Sequence, residues 1–152
     1  MVTRPSVTVA AVIERGGKFL LVEEEDGGQI VFNQPAGHLE TGESLVEACA
    51  REVLEESAWH FRPRELVGIY RWRKPDSPAG TGVSYLRFAF CGELGGQEAG
   101  RRLDTGILRA VWLDAEEIRA SRERHRSPLV LRCVEDYLAG RRFPLDALTD
   151  HA

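Results

Sequence analysis

Apolar and polar positions alternate with a period of two near the start of the chain. Ser6 to Glu14 (SVTVAAVIE) reads as a strand, Arg15-Gly16-Gly17 as a turn and Lys18 to Glu24 (KFLLVEE) as its hairpin partner. Asp26-Gly27-Gly28 turns the chain again, and Ile30-Val31-Phe32 is a short apolar strand. The stretch NQPAGHLETGE is expected to be a loop, because Pro35, Gly37 and Gly42 disfavour regular structure.

The period then changes to that of a helix. Ser44-Leu45-Val46-Glu47 has the capping-box pattern, and a helix from there to Ser57 places Val46, Cys49, Ala50, Val53 and Leu54 on one apolar stripe. Glu65 to Trp72 and Val83 to Glu93 predict two long strands around the loop RKPDSPAGTG, and Ile107 to Leu113 a further strand. Asp114 opens a short helix. The last helix takes Ser127 as N-cap, Pro128 at its first position and Gly140 just past its end, with Leu131, Val134, Tyr137 and Leu138 facing the sheet. The order ββ(β)-α-ββ-β-α-α predicts an α/β (α+β) fold, a mixed sheet between helices, as a single domain over residues 1–152.

Composition narrows the function classes. A net charge of −4 argues against a general binder of nucleic acid or anionic membrane. No apolar run approaches the roughly 18–20 residues of a membrane span, and the N-terminus lacks a leader pattern. Cys49, Cys91 and Cys133 each lie in an apolar run and read as buried free thiols, so the expected compartment is the reducing cytoplasm.

The chemistry concentrates between Gly37 and Trp59. On a helix, Glu52 and Glu56 are one turn apart with Glu55 beside Glu56, an arc of about 100–140° at the edge of the apolar stripe. Arg51 has Glu47 and Glu55 as i,i+4 neighbours, but one guanidinium does not offset four acids. Two readings stay open on the glutamates alone: a solvated acidic face, or a hard oxygen site for Mg²⁺ or Mn²⁺.

The spacing of these residues resembles the box of the Nudix family, G-x5-E-x7-R-E-U-x-E-E-x-G-U with U apolar. Gly37, Glu43, Arg51, Glu52, Val53, Glu55 and Glu56 fall on it. At ordinary residue frequencies such a match arises by chance in fewer than roughly one chain in ten thousand. Ala58 stands where the box has its late glycine, which predicts an altered helix exit, and Trp59 fills the apolar position after it. VTVAAVIERGGKFLLVEE, NQPAGHLE with LVEA, and RSPLV with GRRFPL extend the resemblance to the NudJ-type phosphatase branch.

The resemblance implies a Nudix fold and a Mg²⁺- or Mn²⁺-dependent phosphohydrolase. Its implied substrates are nucleoside di- and triphosphates or thiamine-pathway pyrophosphates, with phosphate released. It implies Glu52, Glu55, Glu56 and the Gly37 carbonyl as metal ligands, with Glu52, Glu55 and Arg51 as catalytic residues. Glu55 is a ligand or the base, and Glu43 and Arg51 orient loop and helix. Asp104 is a second candidate base, whereas His38 reads as a structural or exposed loop residue.

Arg71-Trp72-Arg73-Lys74 could grip phosphate and stack a ring, or be a solvated strand end. Tyr85 and Arg87 share a strand face and are candidates to line the pocket, against core packing for Tyr85. Arg122, Arg124, His125 and Arg126 read as a solvated basic run. Three rival functions remain: a pyrophosphatase for ADP-ribose or another nucleoside-diphosphate compound, a non-catalytic nucleotide-binding domain, and an isomerase of allylic diphosphates. The intact glutamates oppose the second. The lack of a cysteine beside the carboxylate face opposes the third.

Overall fold

The computed structural model describes residues 4–75 and 82–151. Residues 1–3 and 152 of the expected domain, and 76–81 of the expected proline-rich loop, lie outside the described residues. Among the described residues nine strands form two sheets: β1 (Ser6–Ala11), β2 (Glu14–Arg15), β3 (Lys18–Asp26), β4 (Gln29–Asn33), β5 (Ala36–His38), β6 (Trp59–Arg73), β7 (Ser84–Gln97), β8 (Ile107–Asp114) and β9 (Phe143–Pro144). The helices are α1 (Leu45–Ser57), α2 (Ala115–Ala120) and α3 (Leu129–Leu138).

One sheet has the order β5-β1-β7-β6-β9, with β1 and β7 parallel and the other pairs antiparallel. In the other sheet β3 pairs with β2 and β4, and also with β8. This is the expected mixed α+β architecture.

The strand expected over Ser6–Glu14 is divided because the chain changes sheets within it. The Val12 amide still donates to the Phe90 carbonyl of β7 (2.7 Å), while the Ile13 carbonyl accepts from Leu20 of β3 (2.9 Å). Alternate residues here serve two separate cores. Val9, Ala11 and Ile13 pack with Leu20, Phe90 and the α1 residues Cys49 and Val53, whereas Val12, Phe19 and Leu21 pack with Ile118 of α2 and Val134 of α3. Burial on both faces explains why these strands read as near-continuous apolar runs. All three cysteines are buried and free.

Several expected boundaries move. β6 begins at Trp59 rather than Glu65 and runs through Pro63 with register shifts that absorb the missing amide. Its partner position is Gly92, where an added Cβ would overlap the Arg62 carbonyl, so only glycine fits. β7 likewise runs on to Gln97. The expected loop between Asn33 and Glu43 contains β5, a three-residue edge strand paired with β1.

In α3, Val130, Cys133 and Val134 form the buried face, while Leu131 is only partly buried and Leu138 is 45% exposed. Ser127 accepts the Leu129 amide through its hydroxyl, one residue before Pro128, and Gly140 takes a positive φ of 84° past the helix end. Among the described residues no helix is long and apolar enough to cross a membrane.

Candidate active site

The acidic helix is positioned at both ends. Ser44 Oγ accepts the Glu47 amide (3.1 Å) and Glu47 Oε1 accepts the Ser44 amide (2.9 Å), closing the capping box. At the other end Ala58 takes the left-handed conformation, φ 65°, and its amide donates to the Leu54 carbonyl. Ala58 thus performs the turn that glycine makes without strain. The chain leaves into β6 through Trp59, which meets Trp112 edge-on at 6.2 Å with the Arg15 guanidinium over both rings.

The buried face of α1 is turned relative to the expected stripe. It consists of Ala48, Cys49, Glu52, Val53, Glu56 and Ser57, while Val46, Ala50 and Leu54 are only partly buried. Glu52 and Glu56 are each 8% exposed, which excludes the solvated-face reading for this pair. β5 lies against them. The Ala36 amide donates to Glu56 Oε1 (2.9 Å), and a Cβ built on Gly37 would overlap the Glu52 carboxylate.

Arg51 organises the outer side of the cluster. Its Nε and Nη2 donate to the two oxygens of Glu43 (2.9 and 2.7 Å), a bidentate fork, and Nη2 also reaches the His38 carbonyl (3.0 Å). Nη1 donates to Glu52 Oε1 (2.8 Å) and Glu55 Oε1 (3.0 Å). The expected pairing with Glu47 does not form, because Glu47 is committed to the capping box. Hydrogen bonds from Arg51 hold the Glu43 carboxyl below its ordinary range, and the same contacts keep Arg51 firmly cationic.

The remaining carboxylates are under electrostatic stress. Burial, with repulsion from Glu55 and Asp104, outweighs Arg51 and lifts Glu52 to about 7. Burial, joined by repulsion from Glu52, Glu24 and Asp104, pushes Glu56 up to about 9 despite the Ala36 amide. One carboxylate oxygen each from Glu52, Glu55 and Asp104 lie within 4.8 Å of one another. The Asp104 amide donates to the Glu55 carbonyl (3.0 Å), which fastens the Asp104 loop to the end of α1. This all-oxygen donor set fits a hard divalent cation, whose charge would offset both the burial and the mutual repulsion that lift Glu52.

Glu52, Glu56 and Asp104 of this cluster border a cleft of about 440 Å³. Trp72 and Tyr85 line it as a stacked pair with ring centroids 5.8 Å apart, and Arg87, Lys74 and His38 also border it. Arg71 and Arg73 are exposed and do not line the cleft, because neighbouring residues of a strand point to opposite faces.

The basic run before α3 is not simply solvated. Arg126 lines the cleft and pairs with Glu24 (2.7 Å) and Asp26 (3.2 Å), and Arg124 pairs with Glu23 and covers the Phe32 ring. Burial pushes the His125 imidazole below its ordinary value. This wall depends on the bridge between Phe32 and His125, which no local pattern signals. Asn33 and Gln34, which fall in the expected loop, are buried polar residues beside Arg87.

The NUDIX domain family model matches residues 2–133. Over 147 residues the chain is 41% identical to the phosphatase NudJ of Escherichia coli (strain K12), covering 97% of this chain and 92% of that protein. It is 54% identical to a solved NUDIX hydrolase from Nitrosomonas europaea, with a TM-score of 0.90 over 97% of this chain and 98% of the other. A bifunctional NMN adenylyltransferase/ADP ribose pyrophosphatase from Francisella tularensis, solved with AMP and a Mn ion, shares the fold alone. It is 16% identical with a TM-score of 0.61, over 91% of this chain and 42% of that one.

Proposed function

Since this chain belongs to the Nudix hydrolase family and resembles the phosphatase NudJ, we propose that residues 1–152 act as one Mg²⁺-dependent catalytic domain. It would cleave the diphosphate linkage of a small substrate and release phosphate. The candidate substrates are nucleoside di- and triphosphates and pyrophosphates of the thiamine pathway. The observation that carries this reading is the shared cleft: Glu52, Glu56 and Asp104 border it together with the stacked rings of Trp72 and Tyr85.

Glu52, Glu55 and Asp104, with Glu56 and the Gly37 carbonyl beside them, would hold Mg²⁺ or Mn²⁺. When bound, the cation would neutralise phosphate oxygens and lower the pKa of a water molecule. The chain supplies the rest. Arg51 fixes the orientation of Glu52 and Glu55 through a single guanidinium group. Glu55 or Asp104, both at the open side of the cluster, accepts the proton of the attacking water. Trp72 and Tyr85 offer a flat apolar surface to a base or pyrimidine ring, and Arg87 a positive charge to the phosphates. Three free, buried cysteines suit a reducing cytoplasm.

The test is turnover of a substrate panel with and without Mg²⁺: nucleoside tri- and diphosphates, ADP-ribose and hydroxymethylpyrimidine pyrophosphate, with products resolved as phosphate, pyrophosphate and monophosphate. Mg²⁺-dependent release of inorganic phosphate is the expected result. Conversion of ADP-ribose to AMP in its place would move the protein to the nucleoside-diphosphate pyrophosphatases. Binding without turnover of any compound would reject catalysis.

A further inference from the structure

Arg87 lies in β7, 6% exposed, and its guanidinium ends on neutral partners. Nη1 donates to Gln34 Oε1 (2.8 Å), Nη2 donates to Asn33 Oδ1 (2.9 Å), and the Cys133 sulfur is 3.8 Å from Nη1. The amide nitrogens of these partners are committed elsewhere. Gln34 Nε2 donates to the Val130 carbonyl (2.8 Å), and Asn33 Nδ2 points to Glu24 Oε1 (3.4 Å). Both amides are thereby fixed with their oxygens towards Arg87.

No carboxylate among the described residues pairs with this guanidinium. Cys133 does not supply the missing charge, because burial pushes its thiol up. Arg126, also at the cleft, is already committed to Glu24 and Asp26. A cation withdrawn from water without an anion is an expensive tether, and a neutral side chain could bridge the two amides without that penalty. Among the described residues no buried side-chain nitrogen or oxygen lacks a partner. Arg87 Nε, which has no partner among these contacts, is therefore not fully enclosed, and the residue borders the cleft.

The sheet places this charge opposite the acids. Arg87 is in register with Thr8 of β1, and Thr8 with His38 of β5. At about 4.8 Å per strand, the Arg87 backbone is roughly 10 Å from the strand that carries Ala36 and Gly37 to Glu56 and Glu52. Tyr85 is two residues away on the same face, with Trp72 stacked on it.

We propose that Arg87 binds the diphosphate group of a diphosphate ester, and that Asn33 and Gln34 are positioning residues that hold its guanidinium open to the cleft in place of a counter-ion. The assignment of the ligand as a diphosphate rests on the hydrolase reading above. The incoming phosphate supplies the anion that the fold omits, so affinity for phosphate is built into the uncompensated charge.

The experiment is calorimetric binding of methylenediphosphonate, in buffer containing Mg²⁺, to the wild type, Arg87→Gln and Asn33→Asp. Steady-state KM and kcat are measured beside it. Asn33→Asp gives Arg87 an internal counter-ion. Both variants are expected to bind about tenfold or more weakly, with KM rising more than kcat falls. Ser127→Asp, measured alongside, puts the same charge on the cleft wall outside the contacts of Arg87, and a merely structural Arg87 predicts that Asn33→Asp weakens binding no more than this control does.

Folded Asn33→Asp that binds within about twofold of wild type, or as tightly as Ser127→Asp, overturns the proposal, as does a wild type that does not bind the diphosphonate. Should Arg87→Gln fail to fold, Asn33→Asp decides alone. Binding that depends on Arg87 in a protein that turns over no diphosphate rejects the hydrolase reading and leaves the phosphate site standing.

Discussion

Gly37 and Glu52 are so close that no side chain fits between them: a Cβ on Gly37 would overlap the Glu52 carboxylate. Gly37 has an ordinary strand conformation paired with Val9, so this glycine is required by space and not by backbone strain. Gly37→Ala should displace Glu52 and lower kcat by about 100-fold, as a misplacement of about 1 Å at a site can. The half-saturating Mg²⁺ concentration should rise with it. A variant with wild-type kcat and metal response would show that Glu52 can move without loss.

Arg51 joins Glu43, Glu52, Glu55 and the His38 carbonyl through one planar group. Lysine keeps the charge but has no fork and cannot meet these partners at once. Arg51→Lys should reduce turnover by about 10–100-fold, the cost of disturbing partners that orient metal ligands. Circular dichroism should show a folded protein. Activity within the error of wild type would mean that charge alone is needed at this position.

The metal-free protein should lose stability as pH rises. Burial lifts the folded-state pKa of Glu52 to about 7 and of Glu56 to about 9, above the ordinary 4.5. The folded state therefore holds these protons more tightly than the unfolded chain does. Their contribution is fully present below about pH 4.5 and is lost as pH rises through about 7 and then 9. In chelator the melting temperature should fall across that window, Glu56→Gln should flatten the upper part of the fall, and Mg²⁺ should reverse it. A melting temperature that is constant or increases with pH in chelator would contradict this picture.

Ala58→Gly sets two effects against each other. Relief of the left-handed conformation is worth about 1–2 kcal/mol. Loss of a buried methyl costs about 0.8 kcal/mol, and the added freedom of the unfolded chain a further ~0.4–1 kcal/mol. Urea denaturation should therefore place the variant within about 0.5 kcal/mol of wild type. A gain well beyond that would mean that the methyl group contributes nothing to packing.

The sequence carried the acidic helix and its cap because both are local. Ser44, Glu47, Arg51, Glu52, Glu55 and Glu56 are linked by helical periodicity and by hydrogen bonds that span a few residues. It did not carry the rotation of that helix. Glu52 and Glu56 are buried by β5, and β5 is hidden in a segment whose proline and glycines resemble a loop.

The far wall was harder still. Arg87 shares a strand face with Tyr85, but its amide partners Gln34 and Asn33 lie 53 and 54 residues away. Arg126 reads as a surface cation until the chain brings it to Glu24 across 102 residues. Arg71 and Trp72 illustrate a simpler limit. They are adjacent in sequence, yet the pleat sends one away from the cleft and the other to it.

The parallel pairing of β1 with β7 also bears on how the protein folds. It joins Ser6–Ala11 to Tyr85–Phe90, so the central ladder can close only after the intervening chain has been gathered into place. Long-range parallel pairing carries its entropic cost before its contacts form, and such topologies fold slowly. Arg87 and Thr8 belong to that ladder, whereas α1 is a local element. The cleft therefore closes only with that ladder, and a chain arrested before it would carry the α1 glutamates without the wall that Arg87 supplies.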